Sequence, residues 1–194
     1  MGSLYDFLMT PLNQSLFGAF RSRLLQNARG ATLEVGIGTG HNLPYYPKSG
    51  VTLVAIEPES SMRSRAHVRA ERRKDLGSIR IQDGNVEHLD FADASFQTVV
   101  STLVLCSVTS PAKAIAEIHR VLIPGGRMLC FEHVRRNTPF AGRVLDVLTP
   151  LWAAVFHGCH LNRDPESLFR ASGFRVIEFE RMWHGLGQYW VLEK

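Results

Sequence analysis

The chain has 194 residues, of which 45% are hydrophobic and 21% are charged, as in an ordinary globular protein. A single hydrophobic core suffices for this length, so we expect one domain over 1–194. The net charge of +4 is modest, and the basic segment 63–74 contains no aromatic residue on which a nucleotide base would stack. The composition therefore argues against a disordered chain and gives no support to a nucleic-acid partner.

Three cysteines, Cys106, Cys130 and Cys159, are widely spaced and form no C-x-x-C pair. They favour a reducing compartment over a disulfide framework or a zinc site. The spacing of His157, Cys159 and His160 also suggests metal ligands, but no fourth ligand lies nearby, so we expect no bound metal. The first residues lack the basic and apolar regions of a signal peptide, and no apolar run reaches the ~18 residues of a spanning helix. We therefore predict a cytoplasmic protein, and the sequence leaves its oligomeric state open.

Apolar side chains recur at three- and four-residue steps in 3–28, which predicts two amphipathic helices divided at Pro11. The rest of the chain alternates apolar strands with amphipathic helices, the pattern of a parallel α/β sheet. The expected strands are 32–35, 51–56, 79–81, 98–108 and 128–131. The expected helices are 60–74, 111–122, 140–156 and 165–172, and the runs 174–182 and 188–192 predict a closing antiparallel hairpin.

The most informative stretch is 32–40, where a short apolar strand runs into three alternate glycines. Glycine has no Cβ and tolerates positive φ, so such a turn lets backbone N–H groups approach a ligand at a helix N-terminus. The dinucleotide fingerprint G-x-G-x-x-G would need a glycine at position 41, which is His41. Glu57 ends the next strand, where a carboxylate can accept hydrogen bonds from both ribose hydroxyls. Together these features predict a nucleoside site.

The E-x-G-x-G-x-G motif that begins at Glu34 resembles motif I of class I S-adenosylmethionine (SAM) methyltransferases. The resemblance continues through the loop 83–91 and the turn 124–126, and covers about residues 30–134. It implies a three-layer, Rossmann-like α/β fold with a seven-stranded sheet whose last strand is antiparallel. The implied divisions are an N-terminal helical lid (1–29), a cofactor-binding core (30–134) and substrate-side helices with the closing hairpin (135–194).

This resemblance implies SAM as the methyl donor and S-adenosylhomocysteine as the product. The positions that match the family's cofactor residues are Glu34, Gly36, Gly38, Gly40, Glu57, Met62, Asn85, Val86, Thr102 and Leu103. Asn85 stands where the family has an acidic residue that receives the adenine amino group, and Asp83 is the alternative. Asp90 and Gln97 also depart from the family's usual proline and aspartate.

A narrower resemblance links 102–108, 131–134 and 158–161 to the methyltransferase-like family of alkyl thiol methyltransferases. It implies a small apolar acceptor, with a thiol favoured. The pocket residues that we expect are Tyr5, Cys106, Trp152, His157 and His160. Animal members carry an N-terminal membrane anchor, which we do not expect here, and they have Asp-Gly-Cys-Asn where this chain has the sequence 157–160. Bacterial relatives are mostly generic or phospholipid-type methyltransferases, and a lipid-like acceptor (a quinol or a phospholipid amine) is the alternative.

Methyl transfer from a sulfonium is an in-line displacement, so the protein's main task is to align nucleophile, methyl carbon and sulfur. A thiol, with a pKa of about 8.5, needs little help to ionise. His133 follows the fifth strand, at the sheet edge where ligands bind, and is the candidate catalytic base; a structural histidine is the alternative. Cys106 and Cys159 are interpreted as small buried residues, since direct transfer needs no covalent intermediate.

Alternatives from other classes remain open. A non-catalytic protein that binds SAM or a nucleoside would keep the glycine turn and Glu57, and an NAD-linked oxidoreductase would have to tolerate His41. A lipid acceptor would be met at a membrane surface, so peripheral membrane contact through 63–74 and the N-terminal helices is a further hypothesis.

Overall fold

The computed structural model describes residues 17–135, 139–155, 158–182 and 185–194. Within these ranges, one sheet contains β1 (Gly30–Val35), β2 (Val51–Ile56), β3 (Ser78–Gln82), β4 (Phe96–Thr102), β5 (Leu122–His133), β6 (Arg175–Met182) and β7 (Gly187–Glu193). The helices are α1 (Gly18–Leu25), α2 (Ser60–Ala70), α3 (Pro111–Val121), α4 (Pro139–Val155) and α5 (Pro165–Ala171), with a 3₁₀ turn at Leu43–Tyr45. None of these helices is both long and apolar enough to cross a membrane.

The strand order is β3-β2-β1-β4-β5-β7-β6. Strands β1 to β5 pair in parallel, and β7 lies antiparallel between β5 and β6. The order reverses between β1 and β4, and open α/β sheets bind ligands at the carboxyl ends of the strands beside such a reversal. The predicted Rossmann-like α/β sheet with an antiparallel last strand is confirmed.

Neighbouring residues of the central strands face two different apolar layers. Val99 of β4 packs with Leu33 and Ile115, whereas Val100 packs with Leu24 and Leu53. The first layer is covered by α3 and α5, and the second by α1 and α2. Strands that are apolar on both faces need helices on both sides, which is why the chain forms three layers.

Two strand boundaries differ from the prediction. Strand four was expected over 98–108, but β4 ends at Thr102, because Leu103 has a φ of +59° and its N–H donates to the carbonyl of Phe131 (2.8 Å). Strand five was expected over 128–131, but β5 already begins at Leu122. The turn 124–126 is a bulge that shifts the pairing register with β4 without ending the strand.

The described part of the predicted lid segment packs against the sheet. Phe20 of α1 stacks on Phe131 with ring centroids 6.2 Å apart, and Arg23 forms ion pairs with Glu178 and Glu180 of β6. Pro11 and the first predicted helix lie outside the described residues. A lid in this part of the chain stays a prediction.

Candidate active site

The three glycines after β1 meet different surroundings. A Cβ on Gly36 would lie 2.6 Å from Cγ2 of Val104, and one on Gly40 would lie 2.9 Å from Cδ1 of Leu43. Gly38 has a φ of +57°, and a Cβ there would meet nothing within 4 Å. Two of the glycines thus permit close packing, and the third leaves an open face beside a cavity.

Glu57 is fixed against this turn by two backbone hydrogen bonds. Its Oε2 accepts from the N–H of Gly38 (2.9 Å), and its Oε1 accepts from the N–H of Glu59 (3.0 Å). The residue is buried, and burial raises the pKa of its carboxyl group despite these two bonds. Each oxygen keeps a lone pair for a further donor.

Glu34 lies behind the cavity wall and acts through its neighbours. Its Oε1 accepts from Nδ2 of Asn42 (2.8 Å), and its Oε2 accepts from the hydroxyl of Tyr46 (2.9 Å). Asn42 lines the cavity, where its Oδ1 accepts from Nε of Arg21 (2.8 Å) and its Nδ2 reaches Oγ1 of Thr102 (2.9 Å). Burial raises the pKa of Glu34 to about 7.

Part of the basic segment 63–74 contacts the glycine turn and the residues that follow it. Arg69 donates to the carbonyl of Thr39 (2.6 Å), and Arg73 donates to the carbonyl of Leu43. Hydrogen bonds from charged donors belong to the stronger class. These arginines therefore stabilise the backbone of the glycine turn and of the residues after it.

The turn after β4 is organised by one buried carboxylate. Glu132 of β5, which is 1% exposed, accepts from the N–H groups of Val104 (2.8 Å), Leu105 (2.9 Å) and Cys106 (3.3 Å). Burial raises its pKa to about 7, although the three bonds lower it. The carboxylate fixes the backbone that carries Cys106 and Val104 to the edge of the cavity.

Next to this turn, two thiols and an imidazole meet. Nε2 of His133 lies 2.7 Å from Sγ of Cys159, Nε1 of Trp152 donates to the same sulfur (3.4 Å), and Cys106 is the third member. The ligand atoms of Cys106, His133 and Cys159 all lie within 4.8 Å of one another. We call these three residues the thiol–imidazole cluster.

The cluster shifts the acidity of its own members. Hydrogen bonding to Cys106 lowers the pKa of the Cys159 thiol, and the contacts with His133 and Trp152 add to this against the effect of burial. The bond to Cys159 and burial raise the pKa of Cys106. Burial lowers the pKa of His133, but its hydrogen bond to Cys159 and the neighbouring negative charges outweigh it, so the net shift is upward.

One cavity of about 420 Å³ joins the glycine turn to this cluster. The predicted cofactor residues that line it are Gly36, Gly38, Glu57, Met62, Asn85, Val86, Thr102 and Leu103. The predicted acceptor-side residues that line it are Cys106, Trp152 and His133. The fold therefore brings most of the predicted site residues to a single concave surface.

Other predicted residues lie elsewhere. Gly40 supports packing beneath the turn, and Nδ1 of His160 lies against the carbonyl of its neighbour Gly158 (2.7 Å) rather than in the cavity wall. Oδ1 of Asn85 accepts from the N–H of Glu87 (2.9 Å), so the local turn already uses this oxygen. Tyr5 and His157 lie outside the described residues.

Comparison with known families decides the class of this site. The family model described as "Methyltransferase domain" matches residues 33–130, just over half of the chain. The chain belongs to this methyltransferase family. SAM is the methyl donor that membership implies, and the predicted class of protein is confirmed together with its fold.

Curated relatives of this methyltransferase are named for different acceptors. The chain is 36% identical over 159 residues to "Thiol S-methyltransferase TMT1B" of Rattus norvegicus. The alignment covers 76% of this chain and 61% of that protein. The chain is 32% identical over 137 residues to "Phosphatidylethanolamine N-methyltransferase" of Cereibacter sphaeroides, which covers 70% of this chain and 66% of that protein. The chain thus spans somewhat less than two thirds of the length of either relative.

A solved structure shows the same fold. A SAM-dependent methyltransferase from Thermotoga maritima superposes on this methyltransferase with a TM-score of 0.73 at 19% identity. The superposition covers 98% of this chain and 95% of the other. At this low identity the likeness extends to the architecture alone.

Sequence reasoning missed three residues that shape the cavity. Arg21 and Asn42 belong to stretches that were interpreted only as helix and helix start, and Cys159 was interpreted as a buried apolar residue. A buried arginine on an amphipathic helix could have been noticed, because arginine is rarely buried without a partner. The local spacing of Cys159 pointed to His157 and His160, and no spacing links it to its partner His133, which is 26 residues away.

Proposed function

We propose that this methyltransferase transfers the methyl group of SAM to the sulfur of a small apolar thiol. One observation carries the proposal: a single cavity runs from the Gly38–Glu57 contact to a group of thiol and imidazole side chains. The name of the rat relative points to the same acceptor class.

The residues at one end of the cavity suit SAM. Gly38 leaves room where a side chain would intrude, and Glu57 offers lone pairs to ribose hydroxyls. Met62 and Val86 provide apolar contact for the adenine ring of SAM. The guanidinium of Arg21 can face the carboxylate of SAM. When bound, SAM supplies an electrophilic methyl group on its sulfonium.

The sheet sets the distance between the two ends. Glu57 follows β2 and His133 ends β5, three places apart in the strand order. At a strand spacing of ~4.8 Å this separation is about 14 Å, the scale of an extended nucleoside ligand. The chain's own contribution is therefore to hold the acceptor at the β5 end, in line with a donor anchored at the β2 end.

The acceptor end combines apolar walls with proton-handling groups. Val104, Val108 and Trp152 line it, so an alkyl chain would displace water there. His133 is the proposed proton acceptor for the incoming thiol, and its ring already contacts a sulfur at 2.7 Å.

The test is transfer of labelled methyl from SAM to a panel of alkyl thiols, quinols, phosphatidylethanolamine and small amines. We expect thiols to be labelled, and His133→Gln to lower the rate about 100-fold, the lower range for a positioned acid–base group, with SAM affinity unchanged. His67→Gln, an exposed change on α2, is the matched control. An unaltered rate in His133→Gln would remove this residue as the base, and an unlabelled thiol pool would refute the proposed acceptor.

A second candidate, a lipid-like acceptor, is favoured by the surface of α4. Phe140, Val147 and Leu151 are 83%, 78% and 70% exposed and lie on one face of this helix. Trp152 of the same helix lines the cavity, so an apolar surface leads to the acceptor end. Labelling of phosphatidylethanolamine or a quinol instead of thiols would select this candidate.

This panel, together with binding measurements for SAM, S-adenosylhomocysteine and NAD, addresses the remaining alternatives. SAM binding without transfer to any acceptor would favour the non-catalytic binding protein. Tighter binding of NAD than of SAM or S-adenosylhomocysteine would favour the oxidoreductase, and we expect the opposite order.

A further inference from the structure

Three segments, linked by hydrogen bonds, bring the side chains of the thiol–imidazole cluster together. Cys106 follows β4, His133 ends β5, and Cys159 lies between α4 and α5. The N–H of His160 donates to the carbonyl of Cys106 (2.8 Å), so the loop that carries one thiol is bonded to the turn that carries the other. Arg163 also donates to the carbonyl of Leu105 (2.6 Å). These hydrogen bonds therefore fix the backbone positions from which the two cysteine side chains approach each other.

The donor set is that of a zinc site. Two thiols and one imidazole are ligands that zinc prefers, whereas magnesium and calcium take oxygen. In tetrahedral zinc sites the metal lies about 2.3 Å from sulfur and about 2.0 Å from nitrogen, which places sulfur and nitrogen about 3.5 Å apart. The cluster's ligand atoms, all within 4.8 Å of one another and as close as 2.7 Å, would reach this arrangement by small side-chain rotations.

We propose that Cys106, His133 and Cys159 bind one zinc ion whose fourth position opens into the cavity. All three residues line the cavity. Three protein ligands with one open position is the pattern of catalytic zinc, whereas structural sites have four protein ligands. The N–H of Trp152, directed at Sγ of Cys159 (3.4 Å), is the kind of outer contact that orients a zinc ligand.

The open position suggests how an acceptor is held, and this step rests on the proposed function. A thiol that enters it binds through sulfur and loses its proton to water, because coordination deprotonates thiols. The sulfur then forms its bond to the methyl carbon as the carbon–sulfonium bond breaks, leaving a thioether and S-adenosylhomocysteine. With zinc bound, His133 would be a ligand, and the metal would lower the pKa of the thiol so that no protein base is needed.

The site is tested by metal titration of the full chain, kept reduced and first stripped with a chelator. Cobalt(II) serves as the probe, because its visible absorption reports tetrahedral geometry and its near-ultraviolet charge-transfer band reports bound thiolates. We expect one cobalt per chain, displaced by one zinc. Cys106→Ser and Cys159→Ser should each weaken binding at least tenfold and reduce the charge-transfer band.

Cys130→Ser is the matched control, because this third cysteine is buried in β5 outside the cluster. It should bind cobalt like the unchanged protein, with folding of all variants checked by thermal unfolding. Absence of stoichiometric binding would overturn the site, and so would cobalt affinities of Cys106→Ser and Cys159→Ser equal to that of the unchanged protein. Disulfide formation between the two cysteines without metal binding would do the same.

Adding an alkyl thiol to the cobalt-loaded protein tests the open position without turnover. A stronger charge-transfer band, from a third sulfur ligand, is expected. An unchanged spectrum would overturn the acceptor role of the metal. The spectrum is independent of methyl transfer, so failure of the zinc site and failure of the proposed methylation are distinguishable.

Discussion

At the scale of single residues, the glycine turn shows that similar glycines are required for different reasons. Gly36 and Gly40 are constrained by nearby side chains, whereas Gly38 faces open space and donates its N–H to Glu57. A side chain at Gly38 would therefore occupy the cavity without displacing the core. This difference makes Gly38 the residue at which binding and folding can be separated.

We expect Gly38→Val to lower SAM affinity at least 100-fold, measured by calorimetry, while the protein stays folded. Gly50→Val is the matched control, because Gly50 also has a positive φ (+79°) and open surroundings but lies outside the cavity. Both changes place a β-branched residue at positive φ and should cost about 1–2 kcal/mol of stability. Equal SAM affinity in the two variants would contradict the assigned nucleoside site.

Glu34 makes stability depend on pH. The pKa of its carboxyl group is about 7 in the folded protein, against an ordinary value of 4.5, so between these values the folded state binds more protons than the unfolded state. Its contribution to the free energy of unfolding is therefore fully present below pH 4.5 and is lost as pH rises to about 7. The shift corresponds to a loss on the order of 3 kcal/mol.

Comparison with Glu34→Gln isolates the contribution of Glu34 to the pH dependence of stability, because Glu132 and all other titrating groups are common to both proteins. In urea unfolding at a series of pH values, the wild-type protein should lose stability relative to the variant as pH rises from about 4.5 to about 7. Parallel stability curves across this window would show that Glu34 titrates normally.

At the scale of elements, the structure depends on how one strand positions the end of its neighbour. Glu132 of β5 holds three N–H groups of the turn after β4, and this turn carries Cys106 to the cavity. Glu132→Leu would leave those groups without an acceptor, at about 1–3 kcal/mol each. We expect a loss of at least about 3 kcal/mol in unfolding free energy and faster hydrogen exchange at Leu105 and Cys106.

Glu180→Leu provides the comparison for this change. Glu180 forms an exposed ion pair with Arg23, and such pairs contribute about 0–1 kcal/mol. If Glu132→Leu cost no more than Glu180→Leu, the buried carboxylate would not be what holds the turn.

Local patterns predicted most elements because the deciding interactions are local. The strand 51–56 matches β2, since a β-branched apolar run has few other conformations, and α3 begins after Ser110, whose hydroxyl accepts from Lys113. The end of β4 could not be predicted, because apolar periodicity carries no sign of the positive φ at Leu103. That conformation depends on a hydrogen bond to Phe131 of another strand.

At the scale of the whole molecule, the same distinction separates the two halves of the site. Gly38 and Glu57 follow β1 and β2, parallel neighbours that are also consecutive in the sequence, so a motif predicts them together. The thiol–imidazole cluster unites segments that become neighbours only when the whole sheet and the loop before α5 are in place. No sequence spacing encodes that proximity, so the sequence could not group these three residues.

The exposed apolar face of α4 predicts contact with lipid. Val147→Ser combined with Leu151→Ser should reduce sedimentation with anionic vesicles at least tenfold, since burial of such a side chain contributes about 1.5–3 kcal/mol. The control, Ile177→Ser, removes an exposed side chain on β6, outside both α4 and the basic segment 63–74. Equal vesicle binding by the double variant and this control would exclude α4 as the contact.

The apolar surface that leads from α4 into the cavity also affects which methyl acceptors would be turned over fastest. Trp152 belongs both to this helix and to the cavity wall. An acceptor that is concentrated in a lipid phase at this helix would therefore reach the reacting groups without crossing bulk water. Turnover at low acceptor concentration should then follow the oil–water partition coefficient of the acceptor more closely than its acidity.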